Sequence, residues 1–144
     1  MLKKLLSFSL LIVLTYCLAC TSVSKEIPKF LQGSFQDDYK IDYELTEKMF
    51  FQKPNTRFHI LKWNIEEQYF IAKNDSLNPY DPNLYARIDW MKFEDMAPFT
   101  WGFCLSVYDA TTADSAEIMS TVNRTTPKTG CNGYPFSRMK PSTQ

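Results

Sequence analysis

Arg57-Phe58-His59-Ile60-Leu61-Lys62-Trp63, Asn64-Ile65-Glu66-Glu67 and Gln68-Tyr69-Phe70-Ile71-Ala72-Lys73 follow one another without a break. The first run alternates, with Phe58 and Ile60 on one face and His59, Leu61 and Trp63 on the other. A period of two is the mark of a strand with one buried face. The third run is dense in strand formers, and the four residues between them suit a hairpin connection. Two antiparallel strands are therefore expected at the centre of the chain.

The same period recurs on both sides. Upstream, Ile41, Tyr43 and Leu45 alternate with Asp42, Glu44 and Thr46. Downstream, Tyr85 to Phe93 and Thr100 to Ala110 are two more runs. In the last, Trp101, Phe103, Leu105 and Val107 are expected to point one way and Cys104, Ser106 and Tyr108 the other. Turn chemistry separates the runs at Lys53-Pro54-Asn55, at the long polar stretch Asn74 to Asn83, and at Asp95 to Pro98. One helix is expected, over Thr112 to Asn123, with Thr111 or Thr112 as cap and Ala113, Ala116, Met119 and Ser120 on one face. The pattern predicts a mainly β chain of six to eight strands: a small antiparallel β-barrel or curled sheet, one C-terminal helix and a disulfide-tethered tail. An open sheet with the helix across one face is the rival arrangement.

The chain begins with Lys3 and Lys4, runs apolar from Leu5 to Leu18, and turns polar directly after Leu18-Ala19-Cys20. A basic start, a short apolar stretch and a small residue before the cut make a secretory signal. The run is too short to span a bilayer comfortably. With a cysteine just after Ala19, the segment resembles a bacterial lipoprotein signal, which implies lipidation of Cys20. An ordinary cleaved leader and an uncleaved anchor are the other two readings. On this reading residues 1–19 are a signal peptide, 20–29 a polar tether, and 30–144 a single β-rich domain. Localisation follows as the bacterial cell envelope, anchored to a membrane by lipid and facing an oxidising compartment.

Cutting before Cys20 leaves about 125 residues, enough for one domain and not two. The chain carries 16 Lys+Arg and 16 Asp+Glu, so loss of Lys3 and Lys4 leaves 14 against 16, a net charge of −2. No run of like charge stands out, which argues against nucleic acid as a partner and against a polybasic membrane patch. Aromatic residues make up 15% of the chain, so its core or pocket must be built largely from rings. Of the four cysteines, Cys17 leaves with the leader and Cys20 is claimed by lipid. The remaining pair, Cys104 and Cys131, reads in an exported protein as a disulfide. It would close a loop of about 27 residues, worth roughly 3–4 kcal/mol by the chain-entropy argument. Two buried free thiols are the alternative.

Few residues nominate themselves for chemistry. Arg87 and Asp89 share a strand face in Arg87-Ile88-Asp89-Trp90. Inside a barrel they would be a polar handle for a ligand; outside, a solvent-facing ion pair. Trp63, Trp90 and Trp101 are the expected walls of an apolar site. The lone histidine, His59, has no cysteine or histidine at ligand spacing, so no metal site is nominated, and no nucleophilic triad or cofactor motif is present. Asp37, Asp38 and Asp42, or Asp75 and Asp81, read as turn formers before calcium ligands. In Gly130 to Lys140, Tyr134 and Phe136 are expected to plug one end of a barrel, with Arg138 and Lys140 as the alternative contacts for a ligand.

The opening Gly33-Ser34-Phe35, the succession of hairpins and the closing helix together resemble the lipocalin-like (calycin) architecture, although that family has Trp where this chain has Phe35. His59 to Asp75, Arg87 to Phe93, Trp101 to Tyr108 and Gly130 to Lys140 are similar to a group of small bacterial envelope lipoproteins of unknown function. That resemblance implies export and paired cysteines, and transfers no catalytic residue. The functional expectation is a non-enzymatic, membrane-anchored lipoprotein binding a small apolar ligand in a β-barrel. A structural or assembly subunit of an envelope protein complex is the alternative.

Overall fold

The computed structural model describes residues 26–142. After a 3-10 turn at Lys29–Leu31, eight strands follow: β1 (Gly33–Gln36), β2 (Asp42–Leu45), β3 (Met49–Gln52), β4 (Thr56–Asn64), β5 (Tyr69–Asn74), β6 (Tyr85–Lys92), β7 (Trp101–Ala110) and β8 (Ser137–Pro141). A short helix, α1 (Ala113–Ile118), lies between the last two. Each strand pairs antiparallel with the next, and β8 returns to β1 through Phe35–Pro141 and Gln36–Lys140, so the sheet closes into a barrel. Closure leaves no strand edge unpaired, and the open-sheet arrangement is set aside.

Two strands lack the clear alternation that marks the others in the sequence. β3 (MFFQ) is too short to show a period, and β8 lies in the segment expected only to tether and plug. The helix is half its expected length. Thr112 caps it, its hydroxyl accepting from Ser115 N at 3.1 Å while Ser115 Oγ takes Thr112 N at 3.2 Å. It stops at Ile118 because the chain is then drawn down onto the barrel wall by Ser120 and Arg124.

Bulges interrupt the simple alternation at three places, once between β4 and β5 and twice between β6 and β7, and two of them move Trp63 and Val107. Ile60 pairs with Ala72 but Lys62 pairs with Ile71, leaving Leu61 as the extra residue. That slip carries Trp63 to the same interior as Phe58 and Ile60, where its ring meets Phe70 at 4.7 Å. In β7, Leu105 pairs with Ile88 but Val107 with Arg87, so Ser106 is extra and Val107 passes to the outer face. An inserted residue reverses every side chain beyond it.

Rings fill the interior. Phe50 of β3 meets Phe103 of β7 at 5.1 Å between centroids, and these strands stand opposite each other in the barrel. Tyr43–Phe103 at 5.5 Å, Phe50–Phe70 at 5.9 Å and Phe35–Trp101 at 5.2 Å continue the set. Such pairs each add about 0.5–1.5 kcal/mol beyond the area they bury. Tyr43 keeps its hydroxyl on Asp37 at 3.0 Å, and burial followed by that carboxylate pushes the phenol well above its ordinary range. A second, smaller cluster (Tyr69, Ile71, Val107, Ala110) lies outside the barrel, roofed by Ala116 of α1.

Candidate functional site

Arg87 and Asp89 do share a face, but it is the outer one. Ile88 and Trp90 hold the interior positions of β6, so Asp89 between them must point away from the lumen. It is nevertheless fully buried, because the chain after α1 crosses directly over it. Neither expected arrangement, an inward polar handle or a solvent-facing ion pair, is the one observed. Asp89 Oδ1 accepts from Arg87 Nη2 and from Arg124 Nη2, each at 2.9 Å. Its Oδ2 accepts from Arg87 Nε at 3.0 Å, Ser106 Oγ at 2.6 Å and Ser120 Oγ at 3.2 Å. A carboxylate has about four lone-pair positions, so these five donors leave it nothing to offer a ligand. This is a clasp between the barrel wall and the crossing chain.

The clasp continues outward. Arg87 stacks its guanidinium 3.7 Å over the ring of Tyr69 and donates to the carbonyl of Glu117. The Glu117 carboxylate accepts from Lys62 Nζ at 2.6 Å and from the Tyr69 hydroxyl. Those two bonds, Lys62 first, hold the Glu117 carboxyl below its ordinary range, while burial and then Glu117 push Tyr69 up. The bond to Glu117 raises Lys62 in turn. Arg124 also donates to the carbonyls of Trp90 (3.0 Å) and Gln68 (2.7 Å). In the sequence Arg124 stands out only as the middle of Asn123-Arg124-Thr125; its partner is 35 residues away, and no local spacing signals it.

Beyond Arg124 the chain is stapled by the Cys104–Cys131 disulfide, with Cα atoms 5.5 Å apart. Asn132 Nδ2 donates to the carbonyl of Ser106 at 3.0 Å. Gly130 is required where it stands, since a Cβ there would meet the Asn123 carbonyl oxygen at 1.8 Å. Phe136 is buried but stands outside the interior ring cluster, at the cleft beside β8, and Tyr134 is 74% exposed and plugs nothing. It projects because Tyr134 N and O pair with Cys131 in a tight turn at the surface.

Trp63, Trp90 and Trp101 all belong to the interior ring cluster. The Trp63 indole donates to the Glu47 carbonyl at 2.8 Å, whereas the Trp90 and Trp101 N–H groups have no partner among the described residues. Cys20 lies outside the described residues. Among the described residues no three His, Cys, Asp or Glu side chains gather as metal ligands would, and no helix is long and apolar enough to cross a membrane.

Of the concavities among the described residues, two bear on function; the sequence points to the first only through Arg138 and does not point to the second. The first, of about 720 Å³, lies beside β8 and is lined by Tyr39, Phe93, Met96, Tyr134 and Phe136, with Pro127 and Pro135 at its rim. Its floor exists because Gly102 has no side chain: a Cβ there would meet the Phe93 ring at 2.6 Å. Its polar border is the two-pronged bond of Arg138 to Asp38, both prongs at 2.9 Å, with the guanidinium 4.5 Å above Phe99, together with Lys128 and Ser137. The second, of about 470 Å³, opens at the barrel mouth between the β3–β4 turn and the β5–β6 loop. Phe58 and Leu105 reach it from the wall, and Asn74, Asn78 and Asp81 line its side. No family model, no curated protein and no solved structure matches this chain.

Proposed function

We propose that the protein is a non-enzymatic lipoprotein of the bacterial cell envelope, anchored to a membrane through Cys20, whose barrel binds a small apolar ligand. The observation that carries this reading is the apolar cleft beside β8. Its volume of about 720 Å³ is that of a small-molecule site, and rings with a few polar groups, here the Arg138–Asp38 pair, Lys128 and Ser137, are the lining such sites use. Tyr39 and Tyr134, 81% and 74% exposed, stand at the cleft as large apolar surface facing solvent. Rings that touch across the lumen favour this external cleft over the barrel axis as the place of binding.

The test is displacement of the dye 1-N-phenylnaphthylamine by saturated fatty acids, on the domain and on the double variant Met96→Ala/Tyr134→Ala. Both residues are exposed, so the variant keeps its fold. Saturable dye binding that the variant loses supports the reading. A dye signal that is absent, or unchanged in the variant, removes the cleft as the site. If no apolar compound binds while crosslinking at Tyr134 in native envelope returns one protein, the second reading, a subunit of an envelope complex using the same exposed rings, takes over. Mass spectrometry of the protein from its host tests the anchor: acylated Cys20 at the N-terminus is expected, and an intact Met1 would exclude it.

A further inference from the structure

The barrel mouth is built for a different ligand from the cleft, with which it shares no lining residue. Asn74 is 3% exposed and lines the mouth. Its Nδ2 donates to the carbonyls of Asp81 at 2.8 Å and Tyr108 at 2.9 Å, which fixes which end of the amide is which. The other end, Oδ1, has no hydrogen-bond donor among the described residues. A buried amide oxygen without a donor is costly, and a ligand that supplies one relieves the cost. Asn78 is already occupied: its amide bonds both the N–H and the carbonyl of Arg57 at 2.8 Å and so holds the loop in place. Asp81, on the same loop with φ of 49°, brings a carboxylate to the lining. Gln52 and Thr56 bring further polar side chains to the lining. At the rim the Tyr80 ring is 81% exposed, a flat apolar face beside this polar wall.

We propose that this mouth is a saccharide site. A pyranose brings several hydroxyl donors for Asn74 Oδ1 and Asp81, acceptor oxygens for Gln52 and Thr56, and a C–H face to lie on Tyr80. A hydrocarbon chain would leave Asn74 Oδ1 without a donor. A phosphate would meet the Asp81 carboxylate, a like charge. The pocket volume of about 470 Å³ sits within the range of small-molecule sites.

The test is titration of maltose, and separately of N,N′-diacetylchitobiose, into isotope-labelled protein, reading the Asn74 side-chain amide and the Asp81 and Tyr108 backbone signals by NMR. Saturable shifts confined to these signals with either sugar, and affinity lowered about tenfold in Tyr80→Ala, support the site; tenfold corresponds to 1.4 kcal/mol. Asp81→Asn, which tolerates the left-handed backbone, is expected to weaken binding while leaving all distant signals in place. No saturable shift with either sugar, shifts that map elsewhere, or an affinity indifferent to Tyr80→Ala overturns the proposal. Because the cleft beside β8 is separate, these outcomes do not depend on those of the dye experiment.

Discussion

The Arg124 guanidinium reaches Asp89 Oδ1 at 2.9 Å and ties the chain after α1 to the outer wall of β6. Asp89 is fully buried and also paired with Arg87, so removing Asp89 strands two guanidinium groups, whereas removing Arg124 leaves Asp89 with Arg87. Breaking one side of a buried pair costs about 3–5 kcal/mol. Asp89→Ala is expected to lose that much in urea denaturation, and Arg124→Met somewhat less, because Arg124 is partly exposed. A loss under 1 kcal/mol for Asp89→Ala, well short of that ~3 kcal/mol floor, would show that the clasp is not needed.

The disulfide secures the same covering from its far end. Cys104→Ala/Cys131→Ala frees a loop of 27 residues and is expected to lower stability by about 3–4 kcal/mol on the chain-entropy argument. The midpoint of urea unfolding, compared with the wild type in reductant, reads this directly. Agreement between the double variant and the reduced wild type is required.

Glu117 sets a pH dependence. Its carboxyl is held below the ordinary value of 4.5 by Lys62 and then Tyr69. A carboxyl depressed on folding contributes stability that is fully present above the unfolded value and is lost as the pH falls toward the folded one. Stability should therefore drop on acidification below 4.5, and the drop should be shallower in Glu117→Gln. An identical acid limb in the two proteins would contradict the assignment.

Phe50 touches Tyr43, Phe58, Phe70 and Phe103 and is 1% exposed. Phe50→Ala should cost about 3–5 kcal/mol, because the rings around it cannot all close the space it leaves. Thermal unfolding checks this. Leu61→Ala, at an exposed bulge position of β4, is expected to change stability by under ~0.5 kcal/mol.

The eight-stranded barrel was foreshadowed where strands are long and one-sided. β4, β6 and β7 were readable from apolar residues at period two, such as Phe58 and Ile60 or Trp101, Phe103 and Leu105, and β5 from its run of strand formers. The Cys104–Cys131 pair was readable because the other two cysteines lie in or beside the N-terminal apolar segment. What escaped was set by distant partners. Val107 and Trp63 changed faces because of one extra residue upstream of each in its strand, and a bulge has no local signature when both of its residues are apolar or small. Ser106 meets Asp89 across the β6–β7 ladder, and Arg124 only after the chain has turned back over β6. The cleft depends on Gly102 admitting Phe93, and a single glycine in a strand announces nothing about which ring will use it.

The seam between β1 and β8 bears on how the molecule is made. Arg138 of β8 grips Asp38, just past β1, across 100 residues of chain. Joining points so far apart carries a loop-closure entropy of about 4 kcal/mol or more before any contact rewards it. Folding dominated by such distant pairings is slow. A chain emerging from its N-terminus presents Phe35, Tyr43 and Phe50 long before Met139 arrives to seal them. Until β8 pairs with β1, the ring-bearing inner faces of the earlier strands have no closing strand to cover them.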